Sequence, residues 1–389
     1  MIVTGTLYGA VGKEIVIKPW PGDGNMVTMS TTGGGGVGGA NTIQGSGVHH
    51  LVVDGGPTMQ FDFVGANSPN DQNAYTLIVS SNYVTVARSR IHSAGGYGPA
   101  LGVATGAGTY DHIWIVNNEI YDANKPGAPY GVYTGGGTGC AAGDTSHSYV
   151  YFLNNIVRNI CGRGIQVEPR KSGTFTYVEG NAFHDTGTNS CGFGQVSNAV
   201  QPAASCGGSI SDFYVKNNIM FSLGGGGVVL VGDFPNTYIL NNTIYDYAKA
   251  TPLSTSSHGI SCYSDGCQGT VKNNIVLYPN ASGLNPINRG SGFVTANNLC
   301  ESGTSCGSKA LAGTRDSVFG SYSSSTASFL SLKSTAAAVN AGESLFSSGV
   351  TVDYLGALRP SSGAFDIGAI EYGSTSGALN PPTNLRVVP

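Results

Sequence analysis

An all-β fold, a parallel β-helix with three strands per coil, is what this sequence predicts, and three observations carry that expectation. An apolar stretch, an Asn-Asn pair and a second apolar stretch recur along the chain. Short segments led by glycine and written in strand alternation sit between the recurrences. Gly supplies 60 of the 389 residues and charged residues only 10%, whereas a helical protein needs long, charged, solvated faces.

The repeat is read first, because a fixed recurrence decides the architecture. It runs His112-Ile-Trp-Ile-Val-Asn117-Asn118, Tyr149-Val-Tyr-Phe-Leu-Asn154-Asn155 and Phe213-Tyr-Val-Lys-Asn217-Asn218. It continues as Thr237-Tyr-Ile-Leu-Asn241-Asn242, Thr270-Val-Lys-Asn273-Asn274 and Phe293-Val-Thr-Ala-Asn297-Asn298. Degenerate copies at Val53-Asp54-Gly55, Ala87-Arg88-Ser89 and Glu179-Gly180-Asn181 fill the gaps. The period is about 24 to 37 residues, one solenoid turn plus loops. Asn tolerates left-handed backbone and carries an amide donor and acceptor, so stacked Asn side chains at one bend can bond from coil to coil as an asparagine ladder.

A third strand follows each glycine turn: Gly131-Val-Tyr-Thr, Gly164-Ile-Gln-Val-Glu, Gly227-Val-Val-Leu-Val and Gly259-Ile-Ser-Cys-Tyr. Alternation points Val132, Ile165, Val228 and Ile260 inward and stacks Tyr133, Gln166, Val229 and Ser261 outside. Gly135, Glu168, Val231 and Tyr263 follow two residues later on the same outer face.

Composition excludes several partners. The net charge of −4, without a basic cluster, disfavours a phosphate-tracking groove and hence nucleic acid. No run of 18 or more apolar residues, the length that spans a bilayer, occurs in the sequence. Met1-Ile2-Val3-Thr4 leads directly into polar, glycine-rich sequence, so the expectation is a chain that starts after a signal or was cut from a larger gene. The eight cysteines fall as near neighbours: Cys140 and Cys161, Cys191 and Cys206, Cys262 and Cys267, Cys300 and Cys306. Four local disulfides and an oxidising, extracellular compartment are expected; eight reduced cysteines are the alternative. The absence of any CxxC pair argues against zinc.

Through its NNxI coils and Gly-Ile-Gln-Val strands, residues 45 to 300 resemble the pectate-lyase-like right-handed parallel β-helix superfamily. The tail Asp353-Tyr-Leu-Gly356-Ala-Leu-Arg-Pro360 with Ala364-Phe-Asp366-Ile-Gly-Ala-Ile-Glu371 resembles the closing segment of bacterial secreted β-helix proteins. Residues 1–372 are therefore expected to be one β-helix. Gly12 to Gly22 resembles an early coil of such helices, and part of the usual N-terminal cap is expected to be missing. Residues 373–389 read as a linker toward a further module. A monomer within a multimodular chain follows.

Solenoids carry sites on a lateral surface, which suits an extended polymer such as a polysaccharide. The densest charged segment of the outer face is Gln166-Val-Glu168-Pro-Arg170-Lys171. The resemblance implies a Lys or Arg base that removes the proton beside a uronate carboxylate, with calcium or a second cation stabilising the enolate. Carried over, Lys171 is the candidate base and Arg170 the carboxylate clamp or alternate base. The competing reading is a solvated cluster in which these cations pair with Glu168 and Glu179.

A hydrolase would need two carboxylates about 5 to 10 Å apart, and Glu168 with Asp233 is the best such pair unless residues 191–206 insert a coil between them. Asp265 lies at the corresponding position further on. Tyr133, Gln166 and Tyr263 are candidate sugar contacts. His184, next to Asp185, is a candidate acid–base or binding residue. His49 and His50, near Asp54, match no metal motif. Two functions remain: a secreted enzyme cleaving a polysaccharide by elimination or hydrolysis, with calcium as a candidate cofactor, or a non-catalytic carbohydrate-binding module of a larger enzyme.

Overall fold

A computed structural model describes the chain except for residues 1, 4–6, 9, 11–12, 20–24, 31–40, 66–74, 94–98, 106, 124–129, 136–144, 170, 188–197, 205–207, 251–256, 264–265, 289–291, 302–305, 327 and 375–389. Successive coils stack as parallel strands from the first segments to Leu311–Gly313. Each coil has a leading strand before the Asn pair, a trailing strand after it and a glycine strand. In the coil around the charged segment these are Ser172–Glu179, Ala182–Thr186 and Arg163–Val167. Trailing strands form one sheet. Leading and glycine strands join in a second, because Leu77–Ala87 pairs with Leu101–Val103 at one end and with Ile113–Val116 at the other.

Three inward columns fill the interior. Ile91, Ile120, Val157, Phe183, Met220, Ile244 and Val276 follow one another on the trailing strands and are fully buried. The expected inward residues Val132, Ile165, Val228 and Ile260 are buried on the glycine strands. Val86, Ile115, Phe152, Val178, Val215, Ile239 and Val271 complete the wedge on the leading strands. Each side chain stacks on its like in the next coil, and full burial of one such residue is worth about 1.5–3 kcal/mol.

The Asn pair divides its labour. The first Asn takes the left-handed conformation, with φ of 56° at Asn117 and 54° at Asn217, where Asn is tolerated best among residues with a side chain. The second turns inward as the ladder. Asn218 Oδ1 accepts from the backbone N–H and the side-chain amide of Asn181 at 2.9 and 3.0 Å, and its own amide donates to Val178 O and Asn242 Oδ1. The same bonds run from Asn118 through Asn155, Asn181, Asn218, Asn242 and Asn274 to Asn298. In the degenerate coils Gly180 (φ 68°) and Arg88 (φ 51°) occupy the left-handed position, and Ser89 N–H donates into the start of the ladder.

Leading strands bend at a second left-handed residue: His50, Tyr83, His112, Tyr149 and Phe175. Their rings stack with centroids 4.6–4.8 Å apart. A parallel column of Trp114, Tyr151, Tyr177, Tyr214 and Tyr238 stacks at 4.7–5.5 Å. Burial and neighbouring phenols push the Tyr177 and Tyr214 hydroxyls up to about 12.

Beyond Gly313 the chain does not close the end of the helix. It runs back along the trailing-strand face, where Val318, Phe319, Leu330, Leu332, Ile367 and Ile370 pack on Ile219, Tyr245, Ile275, Leu277 and Leu299. The outward first asparagines hold it: Asn217, Asn241, Asn273 and Asn297 donate to Val352 O, Asp366 O, Glu343 O and Ala341 O. Arg359, buried and paired with Glu371, donates to Asn217 Oδ1 at 3.0 Å and to Gly368 O. Two of the expected disulfides are present, Cys262–Cys267 and Cys300–Cys306. Cys161 is disulfide-bonded, while Cys140, Cys191 and Cys206 lie outside the described residues. Ile15–Ile17 pairs in parallel with Leu51–Val53, as an early coil should. Among the described residues no helix is long and apolar enough to cross a membrane.

Two stability predictions follow from the interior. Asn218→Ala orphans Asn181 N–H and Val178 O, each costing about 1–3 kcal/mol, so urea denaturation is expected to show a loss of roughly 3 kcal/mol or more. His147 faces inward, bonded to Thr176 Oγ1 at 3.1 Å, and burial pushes its imidazole down to about 4. The native state thus refuses a proton that the unfolded chain takes below about pH 6.5. Stability should fall by about 1.4 kcal/mol per unit as pH drops from about 6.5 to about 4, then level off. A His147→Gln variant should lack this slope, and an identical slope in both proteins would refute the assignment.

Candidate functional site

The glycine strands Tyr130–Thr134, Arg163–Val167 and Val200–Pro202 lie in parallel register. Tyr133, Gln166 and Gln201 therefore occupy successive rungs of one outward column. Gly102, one rung before Tyr133, leaves room for the Tyr75 ring, since an added Cβ would come within 2.7 Å of it. Burial and the nearby Tyr130 phenol push the Tyr75 hydroxyl up to about 12.

A second outward column pairs Tyr130 with Arg163. The guanidinium sits over the Tyr130 ring at 5.4 Å and donates to the Tyr130 hydroxyl at 3.2 Å and to Gln166 Oε1. Gln166 donates its amide to Glu168 Oε2, which also accepts from the Tyr133 hydroxyl at 3.3 Å. One connected chain, Arg163 to Gln166 to Glu168 and back to Tyr133, thus fixes which way the Gln166 amide points. Gly135 faces the Glu168 carbonyl, which an added Cβ would approach within 2.2 Å, so no larger residue fits beside that carboxylate's backbone.

The residues named from sequence are only partly brought together. Tyr133, Gln166 and Glu168 meet in this network. Lys171 is exposed at the end of the same turn, its backbone N–H bonded to Thr145 O. Among the described residues no carboxylate pairs with it, and Glu179 pairs instead with Lys216 at 3.1 Å. Gln166, Val229 and Ser261 hold the outward register expected of them yet are 4%, 0% and 1% exposed. For Gln166 the reason is the network that surrounds it. The open positions of the third outward column are Val231 and Tyr263, at 37% and 45%.

Asp233 is exposed and stands over Gly266 of the next coil. A coil does intervene between it and Glu168: Ala203 bridges to Val231 and Pro202 pairs with Val167, so the two carboxyl-bearing turns are two rungs, about 10 Å, apart. Tyr263 is three rungs from Glu168, about 14 Å. His184 lies on the trailing sheet, bonded to Asp185 at 2.8 Å and stacked on Phe221 at 4.8 Å; it is not on the glycine-strand face. Bonding to His184 holds the Asp185 carboxyl below its usual range. His49 and His50 bond to each other, and Asp54 pairs with Arg88. Arg170 and Asp265 lie outside the described residues.

Sequence reading missed Tyr130, Arg163, Asn198 and Gln201. The signal was the residue before each glycine, as in Tyr130-Gly-Val-Tyr133 and Arg163-Gly-Ile-Gln166. Asn198-Ala-Val-Gln201 is the same unit with Ala199 in place of glycine. There Asn198 donates to Gln201 at 2.7 Å and accepts from Gly226 N–H.

A cavity of about 610 Å³ lies elsewhere, between the trailing sheet and the C-terminal segment, lined by Phe221, Phe329, Tyr354, Ile370 and Tyr372 among others. Among the described residues no group of three or more His, Cys, Asp or Glu side chains comes together to hold a metal ion.

No protein-family model matches the chain, and no curated protein matches it. Among solved structures it is similar to pectate lyase Pel9A, at TM-score 0.52 and 15% identity over 93% of this chain and 88% of the other. The PL6 family alginate lyase AlyGC aligns at TM-score 0.25 and 14% identity over 76% of this chain and 49% of the other. The likeness to Pel9A is one of fold: the chain is a parallel β-helix, as that structure is.

Proposed function

We propose that the chain is an extracellular polysaccharide lyase whose cleft is the glycine-strand flank, with Lys171 as base. One observation carries this reading: Lys171, exposed and paired with no carboxylate among the described residues, ends the turn that begins at Glu168, whose carboxylate is already held by Tyr133 and Gln166. The solved structure that shares the fold is named a pectate lyase, and the disulfides suit an oxidising compartment.

In this mechanism the Lys171 amine takes the proton on the carbon beside the uronate carboxylate. The electron pair left behind forms a carbon–carbon double bond as the glycosidic C–O bond on the neighbouring carbon breaks; the departing oxygen takes a proton from water, and the Lys171 ammonium returns its proton to solvent. Arg170 clamps the carboxylate through its planar fork. Glu168 and its partners position the sugar rather than attack it. Every step here is assigned to the chain's own residues, and none is routed through calcium.

A binding module is the second reading, favoured by the aromatic-lined cavity on the opposite sheet. An assay on purified polysaccharides separates the readings by following both ultraviolet absorbance of unsaturated uronates and reducing ends. Absorbance growth is expected, and Lys171→Ala should reduce it by about 100-fold or more while leaving stability within about 0.5 kcal/mol, since the side chain is exposed. Reducing ends without absorbance would shift the case to hydrolysis by Glu168 and Asp233. Retention on a polymer with neither signal would leave a binding module.

A further inference from the structure

We propose that the substrate of this flank carries isolated uronates between neutral sugars and is not a polyuronate, an inference that rests on the lyase reading above. Charge spacing carries it. A polyuronate presents a carboxylate on every sugar, and an extended sugar is about as long as one rung of the helix, roughly 5 Å. Its recognition along the axis would call for cations at a comparable interval.

The cations of this flank do not repeat. Between Tyr75 and Cys300 the sequence has Lys125, Arg163, Arg170, Lys171 and Arg289 on the glycine strands or in the stretches that join them to the other strands; Lys125, Arg170 and Arg289 lie outside the described residues, and three of the five fall within 163–171. Lys249, at the corner leading into the same side, is neutralised by Asp246 at 2.9 Å. Of the three, Arg163 is committed to Tyr130 and Gln166. The rungs on either side carry amides and phenols in place of charge: Asn198 and Gln201, buried and bonded to each other, on one, and Tyr130 and Tyr133 on the other.

Immediately after Lys171 the leading strands present hydroxyls instead of charge. Thr109, Ser146, Ser172 and Ser209 stand in register on four successive coils, and Ser148, Thr174 and Ser211 form a parallel row two residues on. Ser172 donates to Ser146 at 3.3 Å, so the row is continuous. Such a shelf bonds sugar hydroxyls and supplies nothing that neutralises a carboxylate.

Two acids then disfavour further negative charge. Asp111, which contacts His112 Nδ1 at 2.7 Å and accepts from Ser148 Oγ at 2.7 Å, heads the second hydroxyl row two coils before Thr174, and the exposed Asp233 stands in the connection two coils beyond Lys171. Each is about 10 Å along the axis from the cationic coil. A carboxylate is matched at the cleavage position and mismatched about two sugars to either side, the repulsive element that a specific site uses against a competitor.

The test compares kcat/KM, from the absorbance of unsaturated product, on polygalacturonate and alginate with that on gellan and welan, whose backbone uronates are separated by runs of more than two neutral sugars. The separated-uronate polymers are expected to lead by at least about tenfold, and Ser209→Lys, which adds a cation one rung from Ser172, should shift the ratio toward polygalacturonate by about fivefold. A wild-type enzyme equally fast or faster on the polyuronates would overturn this inference and leave the lyase reading standing. Absence of unsaturated product from all four polymers would overturn both.

Discussion

Each corner of this solenoid must turn the chain sharply while keeping its buried backbone amides paired, and the Asn pair serves both demands. The first residue supplies a left-handed turn at modest strain. The second carries its own donor and acceptor into the corner, where the backbone can offer the next coil only part of what it needs. Because Asn242 Oδ1 accepts from both the backbone and the side chain of Asn218, a shift of one coil by a single residue would break several buried bonds at once. The ladder therefore fixes register, and register fixes everything stacked on the outside.

That consequence is visible on every face. With coils locked in phase, like side chains meet at one rung spacing, and flat rings find their preferred separation without further design. The Tyr151, Tyr177 and Tyr214 stack, the hydroxyl row from Thr109 to Ser209 and the outward column of Tyr133, Gln166 and Gln201 are all products of the same phase. A linear array at sugar spacing is what an extended polysaccharide can exploit. The chemistry then depends on where the array is interrupted, and Glu168 to Lys171 is the interruption in charge on the glycine-strand side.

The corner has a second use. Its outward asparagines in the last coils donate to the backbone of the returning C-terminal segment, so one residue type serves both the turn and the docking of an irregular chain. Arg359 is buried where this segment meets the corner. Burial lowers its tendency to stay charged, opposed by Glu371, Asp353 and Asp366, and its bonds to Asn217, Gly368 and Ala369 satisfy the remaining donors. A buried cation so surrounded is a specificity device as much as a stabilising one. It holds the segment in one place along the helix.

The sequence by itself determined the coil. Asn-Asn flanked by apolar alternation fixes a left-handed corner between two strands, and glycine before Val or Ile marks the third, because these preferences are local to a few residues. Local too is the closure of Cys262 with Cys267 and of Cys300 with Cys306. The coil that begins at Asn198 escaped notice because Ala199 stands where its neighbours have glycine, and that coil sets the distance between Glu168 and Asp233. Only the tertiary structure decided that His184 faces away from Glu168, that Glu179 serves Lys216 rather than Lys171, and that Gln166 is buried among Arg163, Tyr133 and Glu168. It also laid the C-terminal segment along the trailing-strand face. Those outcomes depend on which rung meets which, and rung number is a sum over every insertion between repeats, a quantity no single motif contains.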